Sequence, residues 1–193
     1  MYNLQKNNFH LKPKNSNIYT PPEVSQFIFE LLKDKVKNGT ILDPCSGQGS
    51  LLVPWKKADH LTWGIDIDPN SNADAKTDFF TCYPDLWSDE VELVLCNPPF
   101  NGYGNKLGSE VWLDKIIELF GKEVPIVLFA PMGFRLNSKK NGKRWSKFII
   151  QTYPSISSII SLPRDIFPEV EFHSEILIFN IPNLQPHYFY HHE

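Results

Sequence analysis

Four consecutive residues, Asn97-Pro98-Pro99-Phe100, follow a buried apolar run and could do chemistry. Two prolines cannot continue a sheet and keep the backbone extended, so they would fix the Asn97 side chain and the Pro98 carbonyl at the strand end. Two carbonyl acceptors beside a flat ring suit a planar group that carries an NH₂. Accepting both of its hydrogens would favour a pyramidal nitrogen and aim its lone pair at an electrophile, without a metal. The alternative is a plain turn.

A second group of residues, upstream of the first, suits a cationic ligand. Asp43 opens a turn in which Gly47 and Gly49 let the backbone turn sharply and let a ligand come close. The turn is neither a G-x-G-x-x-G fingerprint nor a P-loop. Asp66 closes the next strand about twenty residues on, where nucleotide-binding α/β folds hold ribose hydroxyls. An acid in the turn would repel a pyrophosphate, so the ligand predicted is S-adenosylmethionine; the alternative is a tight turn with helix-capping acids.

Short apolar strands alternate with helices around these residues. The strands are predicted near 40–43, 61–66, 76–80, 91–96, 125–130, 156–162 and 175–181. The helices are predicted near 20–36, with Thr20 as its N-cap, and near 50–57, 110–120 and 145–153. This alternation is typical of a doubly wound α/β sheet, which binds ligands at the carboxyl ends of its strands. Both groups of candidate residues stand at such ends.

Composition limits what the chain can be. With 193 residues and 41% hydrophobic residues, one domain of ordinary size is expected. We predict a flexible arm over 1–17, the catalytic domain over 18–182 and a tail over 183–193. No apolar run is long enough for a membrane span. The three cysteines show no C-x-x-C spacing, which argues against a disulfide framework or zinc site and favours the cytoplasm.

Charge is distributed unevenly along the chain, although the net charge is only −3. From Asp43 to Cys96 there are ten acidic residues against three lysines, whereas Val124 to Arg164 contains seven basic residues and no acid. The basic stretch is either a solvated helix and loop or a surface that meets a polyanion. The residues expected to meet phosphates are Arg135, Lys139, Lys140, Lys143 and Arg144. His187, His191 and His192 are predicted to be solvated terminal residues, and no metal site is expected.

Taken in order, these motifs resemble those of the S-adenosylmethionine-dependent adenine-N6 DNA methyltransferases of restriction–modification systems. The resemblance is to the branch whose cofactor motifs precede the catalytic motif, and it covers residues 18 to about 181. It is carried by Tyr19-Thr20-Pro21, Asp43-Pro44-Cys45-Ser46-Gly47-Gln48-Gly49, Gly64-Ile65-Asp66-Ile67-Asp68, Asp78-Phe79-Phe80 and Asn97-Pro98-Pro99-Phe100.

The resemblance implies a Rossmann-like class I methyltransferase fold: a mostly parallel sheet with an antiparallel last strand. It also implies roles for individual residues. The cofactor residues would be Tyr19, Thr20, Pro21, Asp43, Pro44, Cys45, Ser46, Gly47, Gly49, Asp66, Ile67, Asp78 and Phe79. DNA would be the partner, with its adenine extruded from the duplex into the pocket. Phe100 would be one wall for that base, and Phe167, or less favourably Phe172, the other.

Two departures from the family pattern matter. The segment between Asp68 and Lys76 is too short for a crossover helix, so the part of the cofactor pocket that includes Asp78 departs from the family pattern. None of the 193 residues resembles the family's separate target-recognition domain, so either a specificity subunit or nearly sequence-independent methylation is expected. Three alternatives stay open: methylation of RNA adenine, methylation of a protein glutamine amide, and a catalytically idle scaffold subunit.

Overall fold

The computed structural model describes residues 18–37, 39–83, 91–100, 106–167 and 171–191. The arm predicted over 1–17 and His192 lie outside these residues. The helices are α1 (Pro22–Leu32), α2 (Val53–Lys57), α3 (Gly108–Phe120), α4 (Gly133–Leu136) and α5 (Lys143–Ile149). The strands are β1 (Thr40–Asp43), β2 (Thr62–Asp66), β3 (Ala75–Lys76), β4 (Val91–Cys96), β5 (Ile126–Pro131), β6 (Ile156–Ser161), β7 (Ser174–Phe179) and β8 (His187–Phe189).

The strands form one eight-stranded sheet in the order β3-β2-β1-β4-β5-β7-β6-β8. Strand β7 is antiparallel to both of its neighbours, and the other pairings are parallel. The prediction of a mostly parallel sheet with an antiparallel strand is confirmed. The antiparallel strand is followed by β8, which lies in the segment predicted as a tail.

The sheet is covered on both faces because its central strands alternate their apolar side chains between two cores. Ile41 of β1 packs in a core with α1 and Trp55 of α2, while Leu42 packs in a second core with α3. Val94 on β4 likewise faces the α3 side, whereas Leu93 faces α1. Near-continuous burial of these strands is what a parallel sheet between two helical layers requires.

The strand order places a topological switch point between β1 and β4. From β1 the chain adds β2 and β3 on one side, and then returns to add β4 and β5 on the other. Ligands of open α/β sheets bind at such a point, outside the carboxyl ends of the strands. The turn after Asp43 and the segment after Cys96 both begin there.

Two local predictions need correction. Thr20 does not cap α1, because the helix begins at Pro22 with Pro21 as its N-cap and no side chain caps it. Pro21 fixes the entry to the helix by its backbone instead, and its carbonyl accepts from the backbone N–H groups of Val24 and Ser25 at 3.1 and 3.2 Å. The strand predicted over 76–80 is shorter, because Asp78 ends it by capping a 3₁₀ turn over Phe79–Thr81.

No helix among the described residues is long and apolar enough to cross a membrane. The same residues contain no group of three or more His, Cys, Asp or Glu side chains placed to hold a metal ion.

Candidate active site

A cavity lies at the switch point and joins three segments that are far apart in the sequence. It is lined by Ile18, Tyr19, Thr20, Asp43, Cys45, Ser46, Ser50, Leu51 and Asn97. Six of these were predicted as site residues from the sequence. Ile18, Ser50 and Leu51 were not, because a small or apolar residue beside a motif gives no signal of its own. The cavity therefore brings the turn over residues 43–49, the glycine turn, next to Asn97, which is predicted to hold an amine.

The glycine turn needs its first glycine because of a neighbouring tyrosine. Gly47 has φ +52°, and a Cβ atom on it would lie 2.7 Å from Cε1 of Tyr19. Gly49 has φ +81° and no atom that a Cβ would meet within 4 Å. A side chain at Gly47 would thus displace the Tyr19 ring from the cavity wall, whereas Gly49 is required by its backbone conformation alone.

Asp66 braces the glycine turn from the end of β2. Its Oδ2 accepts from the Gly47 N–H at 2.7 Å and its Oδ1 accepts from the Asp68 N–H at 2.8 Å. A carboxylate oxygen can accept two hydrogen bonds, so these contacts leave acceptor capacity for a ligand. The predicted binding of ribose by Asp66 stays a prediction.

Asp43 is the acid that lines the cavity, and only 2% of its surface is exposed. Burial raises its pKa to about 7, although the backbone N–H of Cys45 donates to it at 3.1 Å and favours the charged form. Near neutral pH this carboxyl is therefore present in both its protonated and its charged form. A positive group placed beside it would favour the carboxylate.

Two thiols lie next to each other at the cavity. The Sγ atoms of Cys45 and Cys96 are 3.7 Å apart, one in the glycine turn and one at the end of β4. Burial raises the pKa of both thiols. Because only a thiolate is an effective nucleophile, neither cysteine is suited to attack a substrate at neutral pH.

Asn97 enters the cavity directly after β4, and its amide is held from one side. Its Nδ2 donates to Oγ1 of Thr20 at 3.0 Å. The following loop is fixed by α3, because the Gly108 N–H donates to the Phe100 carbonyl at 3.1 Å. A Cβ atom on Gly108 would lie 1.8 Å from the Pro99 carbonyl oxygen. Gly108 is not among the residues predicted from the sequence, since only the packing of α3 against the loop reveals the requirement.

The aromatic residues predicted as walls form a connected group. The rings of Phe100 and Phe172 meet edge to face at 5.3 Å, and Phe172 stacks on Phe167 at 5.5 Å. Phe167 is 1% exposed and also contacts Phe129 in the core. Phe172, partly buried, therefore lies between Phe100 and the predicted wall. This order favours Phe172 over Phe167 as the ring nearer to a base beside Phe100.

Several predicted cofactor residues lie away from the lining of this cavity. Phe79 is 2% exposed and stacks on Trp112 in the second core, with centroids 5.5 Å apart. Asp78 accepts from the Phe80 N–H at 2.9 Å, and Ile67 is 71% exposed after β2. Their contacts with the cofactor stay predictions, as do those of Pro21 and Pro44.

The basic residues of the acid-free stretch fall into two kinds. Arg135 forms two hydrogen bonds with the buried Glu175, at 3.1 and 2.9 Å. Arg144 pairs with the buried Glu110 at 3.2 Å and also donates to backbone carbonyls. Lys139, Lys140 and Lys143 are exposed. The two arginines thus hold the fold together, so the three lysines are the more suitable partners for phosphate.

Comparison with known sequences finds similarity to DNA methylases. Residues 1–63 match the sequence model of the family described as N-6 DNA Methylase. Over this part of its length, the chain is similar to the N-6 DNA methylases. It is also 24% identical, over an alignment of 218 positions, to the type I restriction enzyme MjaVII methylase subunit of Methanocaldococcus jannaschii. The alignment covers 88% of this chain and 37% of that protein.

Solved structures show the same class I methyltransferase fold. The type I restriction–modification methyltransferase subunit of Streptococcus thermophilus has a TM-score of 0.64 at 18% identity, covering 89% of this chain and 47% of that one. The type I restriction enzyme EcoKI M protein has a TM-score of 0.63 at 14% identity, covering 86% and 44%. A class I S-adenosylmethionine-dependent methyltransferase from Listeria monocytogenes has a TM-score of 0.59 at 17% identity, covering 88% and 64%. The chain spans less than half the length of the methylase subunits it matches.

Proposed function

We propose that the chain transfers a methyl group from S-adenosylmethionine to the exocyclic N6 amino group of adenine in DNA. The observation that carries the proposal is the cavity in which Asp43, Ser46 and Asn97 meet. The relation to the N-6 DNA methylases supports the choice of adenine in DNA as the acceptor.

The residues of the cavity fit a cationic cofactor that also carries hydroxyl and amino groups. Ser46 Oγ is buried and has no hydrogen-bond partner among the described residues, and a polar group of a ligand would satisfy it. Burial penalises the charged form of Asp43, and a positive charge nearby would offset that penalty. Tyr19 and Leu51 add apolar wall. Tyr19, Asp43, Cys45 and Ser46 would hold the cofactor.

Bound S-adenosylmethionine would supply a sulfonium methyl group, which accepts the electron pair of the amine as the carbon–sulfur bond breaks. The chain would contribute position and electrostatics. Oδ1 of Asn97 and the carbonyl oxygen of Pro98 would each accept a hydrogen bond from one N–H group of the amine, which concentrates the lone pair on nitrogen. These acceptors also stabilise the positive charge that develops on that nitrogen, until the surplus proton passes to solvent.

Phe100 and Phe172 would hold the base that carries this amine. Phe100 follows the amine-binding residues directly, and the Phe172 ring meets it edge to face. A base taken out of a duplex loses its stacking, and aromatic walls restore part of that energy. Lys139, Lys140 and Lys143 would contact the backbone phosphates.

Recognition of a sequence would come from a separate specificity subunit. A related solved structure concerns the complex assembly of a type I restriction–modification system, with a TM-score of 0.65 at 17% identity. The exposed lysines of this chain can contact phosphates, and phosphate contacts carry no sequence information.

The proposal is tested with the purified chain, labelled S-adenosylmethionine, and DNA, RNA and protein acceptors in parallel. The DNA should lack methyladenine and be supplied both as duplex and as single strands. The expected result is N6-methyladenine in DNA on nucleoside analysis. Methyl transfer to RNA adenine or to glutamine would replace the proposed acceptor. Cofactor binding by calorimetry with no transfer to any acceptor would indicate a scaffold subunit and overturn the proposal.

A further inference from the structure

The structure assigns to Thr20 a role as the positioning residue of Asn97, an inference that rests on the proposed function. The contact is between Oγ1 of Thr20 and Nδ2 of Asn97, 3.0 Å apart and separated by 77 positions in the sequence. Thr20 is only 5% exposed, so little water competes for its hydroxyl. The direction of this bond matters because an asparagine amide has one accepting end and one donating end.

The reaction needs the accepting end of Asn97 to face the substrate amine. An amine offers two N–H donors, so Oδ1 must point toward it and Nδ2 away from it. The hydroxyl of Thr20 gives Nδ2 an acceptor on the side away from the substrate. If the amide were rotated by half a turn, the Thr20 hydroxyl could still donate to Oδ1, but the NH₂ of Asn97 would face the NH₂ of the substrate and neither of these two donors would have an acceptor. Only the observed orientation satisfies both ends at once.

The backbone around Thr20 makes it a rigid support. Pro21 and Pro22 follow it directly, and each proline fixes its own φ. Pro21 is tied into the first turn of α1 by two backbone hydrogen bonds, from Val24 and Ser25. Val24 and Ile28 in turn anchor α1 in the core, with no exposed surface. The hydroxyl is therefore held by the core rather than by a loop.

This role also explains why Thr20 does not cap α1. The helix begins at Pro22, so its first turn lacks one backbone N–H in any case, and the Thr20 hydroxyl is left for Asn97. A threonine before two prolines is predicted to be a cap from sequence alone. In the fold, its side chain instead supports the residue predicted to act on the substrate.

The test compares Thr20→Val with Thr20→Ser. Valine keeps the shape and removes the acceptor, so the maximal rate of methyl transfer should fall about tenfold or more, with a much smaller change in cofactor affinity. Serine restores the hydroxyl and should recover most of the rate. In the Asn97→Ala background Thr20→Val should add little further loss, because the residue that it positions is gone.

A second readout does not need activity. Nuclear magnetic resonance should show the Asn97 side-chain amide protons, assigned by their loss in Asn97→Ala, protected from exchange in the wild type and in Thr20→Ser but not in Thr20→Val. If the wild type transfers no methyl group, the proposed function fails while this readout still decides the positioning role. Equal protection in all three chains would overturn the inference. So would a Thr20→Val chain that loses cofactor affinity and keeps its maximal rate, since Thr20 would then be a cofactor contact only.

Discussion

Gly108 lies so close to Pro99 that a Cβ atom on Gly108 would be 1.8 Å from the Pro99 carbonyl oxygen. The first residue of α3 thereby sets the path of the loop that carries Asn97, Pro98 and Phe100. We expect Gly108→Ala to push the loop and the helix apart, lowering the free energy of unfolding by about 2 kcal/mol and abolishing most methyl transfer. Chemical denaturation measures the first effect and a transfer assay the second.

Gly133 provides a matched control, because it is the first residue of α4 and a Cβ atom on it would meet only Asn137 Cβ, at 3.5 Å. Gly133→Ala should leave stability and activity close to those of the wild type. A Gly108→Ala chain as stable and active as Gly133→Ala would show that the loop has room for a methyl group and contradict the account.

Cys45 lines the cavity, whereas Cys82 packs in the core on the α3 side of the sheet. S-adenosylmethionine or its demethylated product should therefore slow the alkylation of Cys45 and leave that of Cys82 unchanged. Mass spectrometry of peptides after timed treatment with iodoacetamide follows each thiol separately. Because burial raises the pKa of both thiols, the reaction should be slow without ligand as well. Equal slowing at Cys45 and Cys82 would mean general stabilisation rather than a ligand at the cavity.

Asp43 should make the stability of the free chain depend on pH. Its pKa is raised from 3.8 to about 7 in the folded chain, so between these values the folded chain keeps a proton that the unfolded chain has lost. Stability should therefore fall as the pH rises through this window, by up to about 4 kcal/mol. Asp43→Asn should remove this fall, as measured by urea denaturation at pH 5 and pH 8.

The control for Asp43 is Asp59→Asn, at an exposed position where φ is +61° and asparagine is well tolerated. This variant should keep the pH dependence of the wild type. The same slope between pH 5 and pH 8 in Asp43→Asn and in the wild type would assign the dependence to other groups.

The sequence predicts those parts of the site that depend on neighbouring residues, and not those that depend on the packing of distant segments. The positions of the strands along the sequence, and of Asp43, Asp66 and Asn97 at strand ends, follow from apolar periodicity and from turn residues, which are local. The bond between Asn97 and Thr20 could not be predicted, because it joins residues 77 positions apart whose distance depends on the packing of α1.

Charge gave a weaker prediction for the same reason. The sequence from Val124 to Arg164 shows which residues are basic. It does not show which of them form ion pairs in the fold, since Glu110 and Glu175 lie outside this stretch. The fold brings Glu175 of β7 beside Arg135, because β7 pairs with β5, which α4 follows. Phe167 as a wall for the base stays a prediction, and its burial depends on contacts with Phe129 and Phe172 that the sequence does not show.

The three exposed lysines should account for the salt dependence of DNA binding. Replacing Lys139, Lys140 and Lys143 together by glutamine should reduce the slope of log affinity against log salt by about 2–3, at roughly 0.9 per phosphate contact. A control is the replacement of the lysines in the acidic half of the chain, Lys56, Lys57 and Lys76. Fluorescence anisotropy with a labelled duplex measures the slope for each of the two variants. An unchanged slope in the first variant would remove this surface from the account.

The central claim is that Asn97 acts on an adenine amine beside a cofactor held by the glycine turn. The most direct measurement compares wild type and Asn97→Ala for transfer of labelled methyl from S-adenosylmethionine to adenine in DNA, with cofactor affinity measured on the same preparations. We expect N6-methyladenine from the wild type, and a loss of about a thousandfold or more in the variant with cofactor affinity nearly unchanged. An Asn97→Ala chain that transfers methyl groups at the wild-type rate, or a wild type that binds the cofactor and methylates no DNA adenine, would contradict it.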